Sequence, residues 1–371
     1  MLLGERGGPS RARPRPFALA ALVAALAACT EAESATAEFT HEAPAAAGPV
    51  VLQGGLVVGA GAVDVRLADG RVAEVGAALP TAGATVVDVR GRWLVPAFVD
   101  SHVHLAYLPA AATLADGGIG AAVDLAAPEA WMATHPSVPR LLVSGPMITG
   151  VRGYPTQGWG YDGYGRECAD AEAARAAVAA LLAQGAGVIK VAAEDLDDAQ
   201  LAAVVAAAHT AGIKVATHAL DDQTAQRAGL AGVDVLAHVP VERLGADTLA
   251  AWADRAVVPT LAAFGAGSTA VDNVRSLRAA GTTVLYGTDF GNSREPGISG
   301  PELVALQAAG LDGAAILAAG TSAPAQFWGW PERAQLAPGA PGDVLVLAAD
   351  PTLDPLTLAA PAQVWIGGAR R

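Results

Sequence analysis

The chain has 371 residues, 53% of them hydrophobic and 16% charged, and carries a formal net charge of −13. A chain of this make-up buries a large core, which excludes a disordered protein and leaves room for one large barrel with a minor domain. The acidic balance, with no basic cluster beyond the N-terminus, argues against nucleic-acid binding and adhesion to anionic lipid, so a small-molecule substrate is the expected partner.

In chain order, Arg6, Arg11, Arg13 and Arg15 precede the apolar run Phe17 to Ala28, which has the n-region and h-region of a secretory signal and is too short to span a bilayer. The run ends Leu26-Ala27-Ala28-Cys29, which resembles a bacterial lipobox and implies lipidation of Cys29 after cleavage; an ordinary signal cut nearby is the alternative. Residues 1–29 are thus expected as a lipoprotein signal peptide and 30–49, rich in Ala, Glu and Thr, as a flexible tether. The mature protein is expected in the bacterial cell envelope or periplasm, touching membrane only through this anchor. With Cys29 consumed, Cys168 has no disulfide partner and is expected buried or half-buried rather than catalytic.

From Val50 short apolar runs alternate with Gly turns, among them Ala68-Asp69-Gly70, predicting a small β-meander. A second such patch, Gly342 to Leu347 and Ala362 to Gly368, closes the chain, and the two are expected to pair, 50–91 with 331–371, as a small β-sandwich domain that hides both sets of strand edges. Between them strand-like runs alternate with Ala-rich stretches, the pattern of βα units. Strands are expected over Trp93 to His104, Ala121 to Leu125, Arg140 to Ser144, Gly187 to Ala193, Lys214 to His218, Val233 to His238, Val257 to Ala262 and Thr283 to Asp289. Helices are expected over Ala169 to Ala183, Asp198 to Ala211, Asp221 to Gly229, Asp247 to Ala253 and Val271 to Ala280. Eight strands within 92–330 fit a (β/α)8 TIM barrel, whose catalytic groups sit at the C-terminal strand ends. The stretch Gly145 to Glu167, rich in Gly and aromatics, reads as a loop over the barrel mouth.

His102 and His104 close the first of these strands. Side chains two apart in a strand share a face, so both imidazoles can reach one metal ion. His218 and His238 close strands 5 and 6, placing four of the seven histidines on one rim. His41, His135 and His209 fall in the tether, a Pro-flanked loop and an Ala-rich helix, and read as structural or solvent-facing. Asp289 delivers a carboxylate to the same rim from strand 8, as a ligand, a proton acceptor or both, unless it only caps the next helix. Lysine occurs twice, at Lys190 and Lys214, while Arg fills the other basic positions. Lys214 begins a strand and reads as structural. Lys190 lies inside an apolar strand whose burial lowers its pKa; its neutral amine can take up CO2 as a carbamate able to bridge two metals, or the ammonium can pair with Glu194 or Asp289.

The motifs Pro96-Ala97-Phe98-Val99-Asp100-Ser101-His102-Val103-His104, Ile189-Lys190-Val191, Ala216-Thr217-His218-Ala219, Ala237-His238, Gly287-Thr288-Asp289 and Pro338-Gly339-Ala340-Pro341-Gly342-Asp343-Val344-Leu345-Val346-Leu347 together resemble the amidohydrolase superfamily, and within it imidazolonepropionase-like and Xaa-Pro-dipeptidase-like hydrolases. The resemblance implies one metal on His102, His104 and Asp289, a second on His218 and His238, and carboxylated Lys190 bridging them. The connection Leu105 to Gly120 bears few polar side chains, so substrate contacts commonly supplied there are in doubt. Gly145-Pro146-Met147-Ile148-Thr149 resembles the loop after strand 3, which makes Arg152, Tyr154 and Tyr161 candidate substrate contacts. The expected protein hydrolyses C–N bonds (amide, cyclic amide or dipeptide) with a metal-activated hydroxide at a binuclear centre, most simply Zn2+. A lactonase or esterase on the same centre and a non-catalytic barrel lipoprotein are the alternatives, and homo-oligomerisation is open.

Overall fold

The structure is a computed structural model that describes residues 48–371. The expected signal peptide, the lipidation site Cys29, nearly all of the tether and His41 lie outside the described residues.

Five strands open the described chain: β1 Val50–Val57, β2 Gly61–Ala68, β3 Arg71–Gly76, β4 Thr85–Asp88 and β5 Trp93–Pro96. β2 and β3 form a hairpin about Asp69 and Gly70, both at positive φ (50° and 74°), which is the backbone a tight hairpin turn demands and a reason for Asp-Gly there. β1 changes partner along its length: Val50 to Gln53 pair with β4, and Leu56 and Val57 pair with β5. The run expected as one strand from Trp93 to His104 is divided at Ala97, because its first half joins this sheet and its second half does not.

That second half, β6 Phe98–Val103, pairs in parallel with β7 Ile119–Asp124, which pairs with β8 Arg140–Val143. Then come β9 Met147–Gly150, β10 Gly165–Cys168, β11 Ile189–Ala192, β12 Val215–His218, β13 Val235–Leu236, β14 Ala256–Val257 and β15 Thr283–Val284, a seven-stranded parallel sheet in the order β10-β9-β11-β12-β13-β14-β15. Backbone bonds join this sheet to the three-stranded one: Gly187 N donates to Val143 O (3.0 Å) before β11, and beyond β15 Tyr286 O accepts from Ser101 N of β6 (2.9 Å) and Phe290 O from His104 N (2.6 Å). With helices between the strands, the result is a TIM-barrel-like α/β domain.

Val99, Val123, Val188, Ala216, Val235 and Leu285 of successive strands make an inner apolar cluster that Trp328 and Trp330 join. The helices carry the caps their sequences encode, with Asp170, Asp197 and Asp221 each accepting a backbone N–H in the first turn of Ala171–Ala183, Asp198–Thr210 and Asp222–Ala231. The helix expected near Asp247 spans Ala246–Ala251, and the one near Val271 spans Ser268–Ala279.

Three expectations need correction. Gly145 to Glu167 is not all loop: β9 and β10 frame it, because Ile148 bridges Val191 of β11 and gives the segment a sheet to join. The strand expected over Val257 to Ala262 ends at Val257, and Ala262–Phe264 turns as a short 3-10 helix. Beyond Ala280, where no helix is expected, Gly300–Ala308, Gly313–Gly320 and Ser322–Phe327 are helical; the first two begin at the side-chain caps Ser299 and Asp312.

The chain returns through β16 Val344–Leu347, β17 Gln363–Ile366 and β18 Ala369–Arg370. β16 pairs antiparallel with β5, so both ends of the described chain share one eight-stranded sheet. Among the described residues no helix is long and apolar enough to cross a membrane.

Candidate metal centre

β6 delivers His102 and His104 through a local break in its ladder. Val99 lies in the inner cluster and Ser101 Oγ accepts from Trp328 Nε1 (3.0 Å), but a register irregularity between Asp100 and Val103 then re-aims the strand. His102 Nε2 and His104 Nε2 come within 3.2 Å, and Asp289 Oδ1 lies 3.5 Å from the first and 3.0 Å from the second. His238, just past β13, brings its ring to 4.6 Å from that of His102, and His218, the last residue of β12, lies 5.0 Å from His238. Donor atoms of His102, His238 and Asp289 all fall within 4.8 Å of one another. Lys190, on β11, is fully buried beneath them.

β15 ends at Val284, short of the expected Asp289, and the segment that follows it must pass very close to β6 for this to happen. A Cβ on Gly287 would stand 2.3 Å from Val258 and 3.1 Å from His102 N, and Gly291 (φ +121°) would place one 2.7 Å from His104 O. Between these glycines Asp289 sits in the left-handed region (φ 55°), a conformation Asp tolerates better than most residues. Asp100 ties the two elements: its Oδ1 accepts from His102 N (3.0 Å) and Thr288 N (3.1 Å), and its Oδ2 from Thr288 Oγ1 (2.6 Å). Thr288 Oγ1 in turn accepts from Phe290 N (3.1 Å), and Asn292 Nδ2 reaches both oxygens of Asp289 (3.2 and 3.4 Å).

The donor set suits a divalent cation. His102 Nδ1 donates to Ala237 O (2.6 Å), which leaves Nε2 with its lone pair toward His104 and Asp289, and His238 Nδ1 is taken by Thr260 Oγ1 (2.7 Å). Burial holds His102 and His238 well below the ordinary imidazole range and His218 at about 3, so these three are neutral donors rather than cations. His104 Nδ1, His218 Nδ1 and Lys190 Nζ are buried without a hydrogen-bond partner among the described residues. Neither Glu194 nor Asp289 hydrogen-bonds Lys190, so the ion pair considered from sequence is not formed. Burial brings the Lys190 ammonium down to about 7, putting the neutral amine within reach at physiological pH. Clustered, uncharged nitrogens beside a carboxylate, some of them unsatisfied, are what a bound cation would complete.

Aromatic rings wall this cluster. Tyr154 stacks on His218 (4.4 Å, 23°), Trp159 lies 5.1 Å from His104 and donates Nε1 to Tyr154 Oη (2.8 Å), and Phe264 meets His238 edge-on (4.8 Å). Of the three residues expected to contact substrate, Tyr154 reaches the cluster, while Arg152 is exposed and Tyr161 is 80% exposed. Trp159, Phe264, Asp100 and Glu194 are participants the sequence reading does not single out as site residues. Glu194, four residues after Lys190 at the same strand end, carries the clearest signal: its Oε1 lies 3.8 Å from His218 Nε2, and burial pushes its carboxyl up to about 7.

The other basic residues stand apart from the cluster. His209 pairs with Asp234 (2.9 Å), His135 Nδ1 meets Pro136 O (3.0 Å), and Lys214 lies over the Phe327 ring at 4.6 Å. Cys168 is 2% exposed.

Comparison with known proteins gives a consistent picture. The family model described as "Amidohydrolase family" matches residues 93–370. An uncharacterized protein of Mycobacterium tuberculosis is 27% identical over 358 residues, covering 83% of this chain and 91% of that protein. Among solved structures, a putative prolidase from Bifidobacterium longum superposes with a TM-score of 0.73 at 24% identity, over 88% of this chain and 95% of that one. A Xaa-Pro dipeptidase with methionine bound in its active site superposes with a TM-score of 0.75 at 18% identity, over 87% and 99%.

Proposed function

The chain belongs to the amidohydrolase family, and from that premise we propose that it is a metal-dependent hydrolase of C–N bonds, in an amide, a cyclic amide or a dipeptide. The observation that carries this reading is the convergence of buried imidazoles, one carboxylate and one unpaired lysine at parallel strand ends. The Gly187–Val143 and Ser101–Tyr286 bonds support reading the eight strands β6, β7, β8 and β11 to β15 as a closed (β/α)8 barrel, with the sheet from both chain ends as its companion β-sandwich domain.

In this reading His102, His104 and Asp289 would hold one divalent ion, His218 and His238 a second, and Lys190, as a carbamate formed with CO2, would bridge them. Nitrogen and carboxylate donors suit Zn2+. When bound, the ions supply Lewis acidity toward a carbonyl oxygen and toward water. Asp289 moves the proton: held by Asn292, it accepts one from the attacking water and returns it to the leaving nitrogen. Tyr154, Trp159 and Phe264 exclude bulk water and wall the approach. The succession of arginines, apolar run and Cys29 supports placing this enzyme on the cell envelope through a lipid anchor.

Metal analysis and a substrate panel test the proposal. About two divalent ions per chain, with turnover of dipeptides or cyclic amides, are expected; lactones assayed in parallel separate amide from ester hydrolysis. Asp289→Asn is expected to lower kcat by about 10²–10⁴ with much of the metal retained. Protein that takes up no zinc, or that turns over undiminished as Asp289→Asn, overturns the reading.

A further inference from the structure

The segment that leaves β14 holds His238 from two sides. Thr260 is fully buried with its Oγ1 2.7 Å from His238 Nδ1, and Phe264, on the turn that follows, meets the same ring edge-on at 4.8 Å. Thr260 stands at φ 46°, a left-handed conformation that crowds a β-branched side chain. Such a conformation costs energy and persists only where the surroundings enforce it. Phe264 N and Ala266 N both donate to Leu261 O (3.2 and 2.8 Å), which closes the turn on itself without tying it to the elements around it.

The tie comes from Glu302, whose Oε2 accepts from Ala262 N (2.7 Å). The local sequence offers this carboxylate another use. Ser299-Gly300-Pro301-Glu302 has the spacing of a capping box, in which the glutamate turns back to the N–H of the capping serine. Only half of that box forms: Ser299 Oγ accepts from Glu302 N (3.3 Å), but Ser299 N donates to Tyr286 Oη (2.7 Å), and the Glu302 side chain reaches a residue 40 positions away instead. Stability does not account for the choice. Glu302 is fully buried and its Oε1 has no hydrogen-bond partner among the described residues, a costly arrangement that an apolar residue would avoid.

We propose that Glu302 is a positioning residue for His238. By holding Ala262 it keeps Thr260 in its strained conformation, where Oγ1 accepts from His238 Nδ1–H and leaves Nε2 unprotonated as the donor atom for a metal. The inference rests on the hydrolase reading above for the metal, whereas the tautomer it assigns to His238 belongs to the metal-free chain as well.

The test uses the full chain with 15N-labelled histidine. In metal-free wild type, His238, identified by the signal missing from His238→Gln, is expected as the Nδ1–H tautomer. Thr260→Val and Glu302→Met each remove one link, and each is expected to show an Nε2–H population at His238 and to bind zinc about 10–100-fold more weakly in competition with a chelator. Thr260→Ser keeps the hydroxyl and Glu302→Gln keeps an acceptor for Ala262 N, so both are expected to stay close to wild type in tautomer and in affinity. Breaking one chain of contacts twice adds nothing, so the double variant Thr260→Val/Glu302→Met is expected to bind zinc no more weakly than the weaker single variant. Losses that multiply in the double variant give Glu302 another route to the metal site and overturn the proposal. A Glu302→Met protein that is less stable to denaturant yet unchanged in tautomer and zinc affinity also overturns it, since the carboxylate is then only structural. Glu302→Ala repeats the comparison if Glu302→Met does not fold. Wild type that takes up no zinc overturns the hydrolase reading, and the metal-free tautomer then decides the role of Glu302.

Discussion

Thr288→Val tests the tie between the segment after β15 and β6. The substitution keeps the branched shape and removes only the hydroxyl that donates to Asp100 Oδ2 (2.6 Å) and accepts from Phe290 N (3.1 Å). Both partners are buried, so each is left without its hydrogen bond at about 1–3 kcal/mol, and the added methyl returns about 0.8 kcal/mol. The expected net loss is about 1–5 kcal/mol of stability. Asp289 lies between the two bonded residues in a left-handed conformation that costs energy to hold, so slackening its flanks lets the carboxylate drift from His102 and His104. Metal affinity is therefore expected to fall about 10–100-fold, the usual scale for groups that orient ligands. Denaturant titration of metal-free protein reads the first effect, and competition for zinc against a chelator of known affinity reads the second. Thr288→Ser, which keeps the hydroxyl, is expected to stay close to wild type in both. If Thr288→Val matches wild type in stability and in zinc affinity, the Asp100–Thr288 tie does not position Asp289.

Two further outcomes follow from groups outside the ligand set. Glu302 is fully buried, accepts from Ala262 N (2.7 Å), and burial raises its carboxyl from 4.5 to about 7. The folded state then binds the proton more tightly than the unfolded chain, so stability falls as pH rises from about 4.5 to about 7, by about 3 kcal/mol at most. Asp100 slopes the same way and His218, lowered to about 3, the opposite way, so the comparison must be made between wild type and Glu302→Gln. The difference between their denaturation curves is expected to change across that window, and parallel curves would remove Glu302 as the cause. His209→Ala breaks a partly exposed pair with Asp234 and is expected to cost less than about 1 kcal/mol, with zinc content unchanged; a drop in bound zinc would show that the histidines have been sorted wrongly.

The parts of the site that sequence makes legible are those whose geometry is local. Two residues apart in a strand is a same-face relation, so His102 and His104 can be paired without knowing the fold, and apolar runs ending in histidine mark His218 and His238 in the same way. Asp100 is opaque by the same logic: it is a polar interruption in an apolar strand until Thr288, 188 positions away, arrives to donate to it. Phe264 and Trp159 are equally hidden, since a turn and a long connection carry them and no periodicity governs where such segments land. The undivided run Trp93 to His104 fails for a related reason. Both halves are buried, one in the eight-stranded sheet and one among the parallel strands, and apolar continuity says that a strand is covered without saying by what.

Lysine usage combines both kinds of information. A chain that spends lysine only twice among 23 basic residues asks a question at each position, and composition alone cannot tell a structural answer from a chemical one. Lys214 has found an aromatic face at 4.6 Å, a use arginine could also serve. Lys190 has no hydrogen-bond partner among the described residues, is fully buried, and loses much of its preference for the charged form. An arginine there would remain a cation among the donors proposed to hold a cation, whereas an amine that can shed its proton need not. The position therefore suits lysine rather than arginine, because of the two only lysine can be uncharged there.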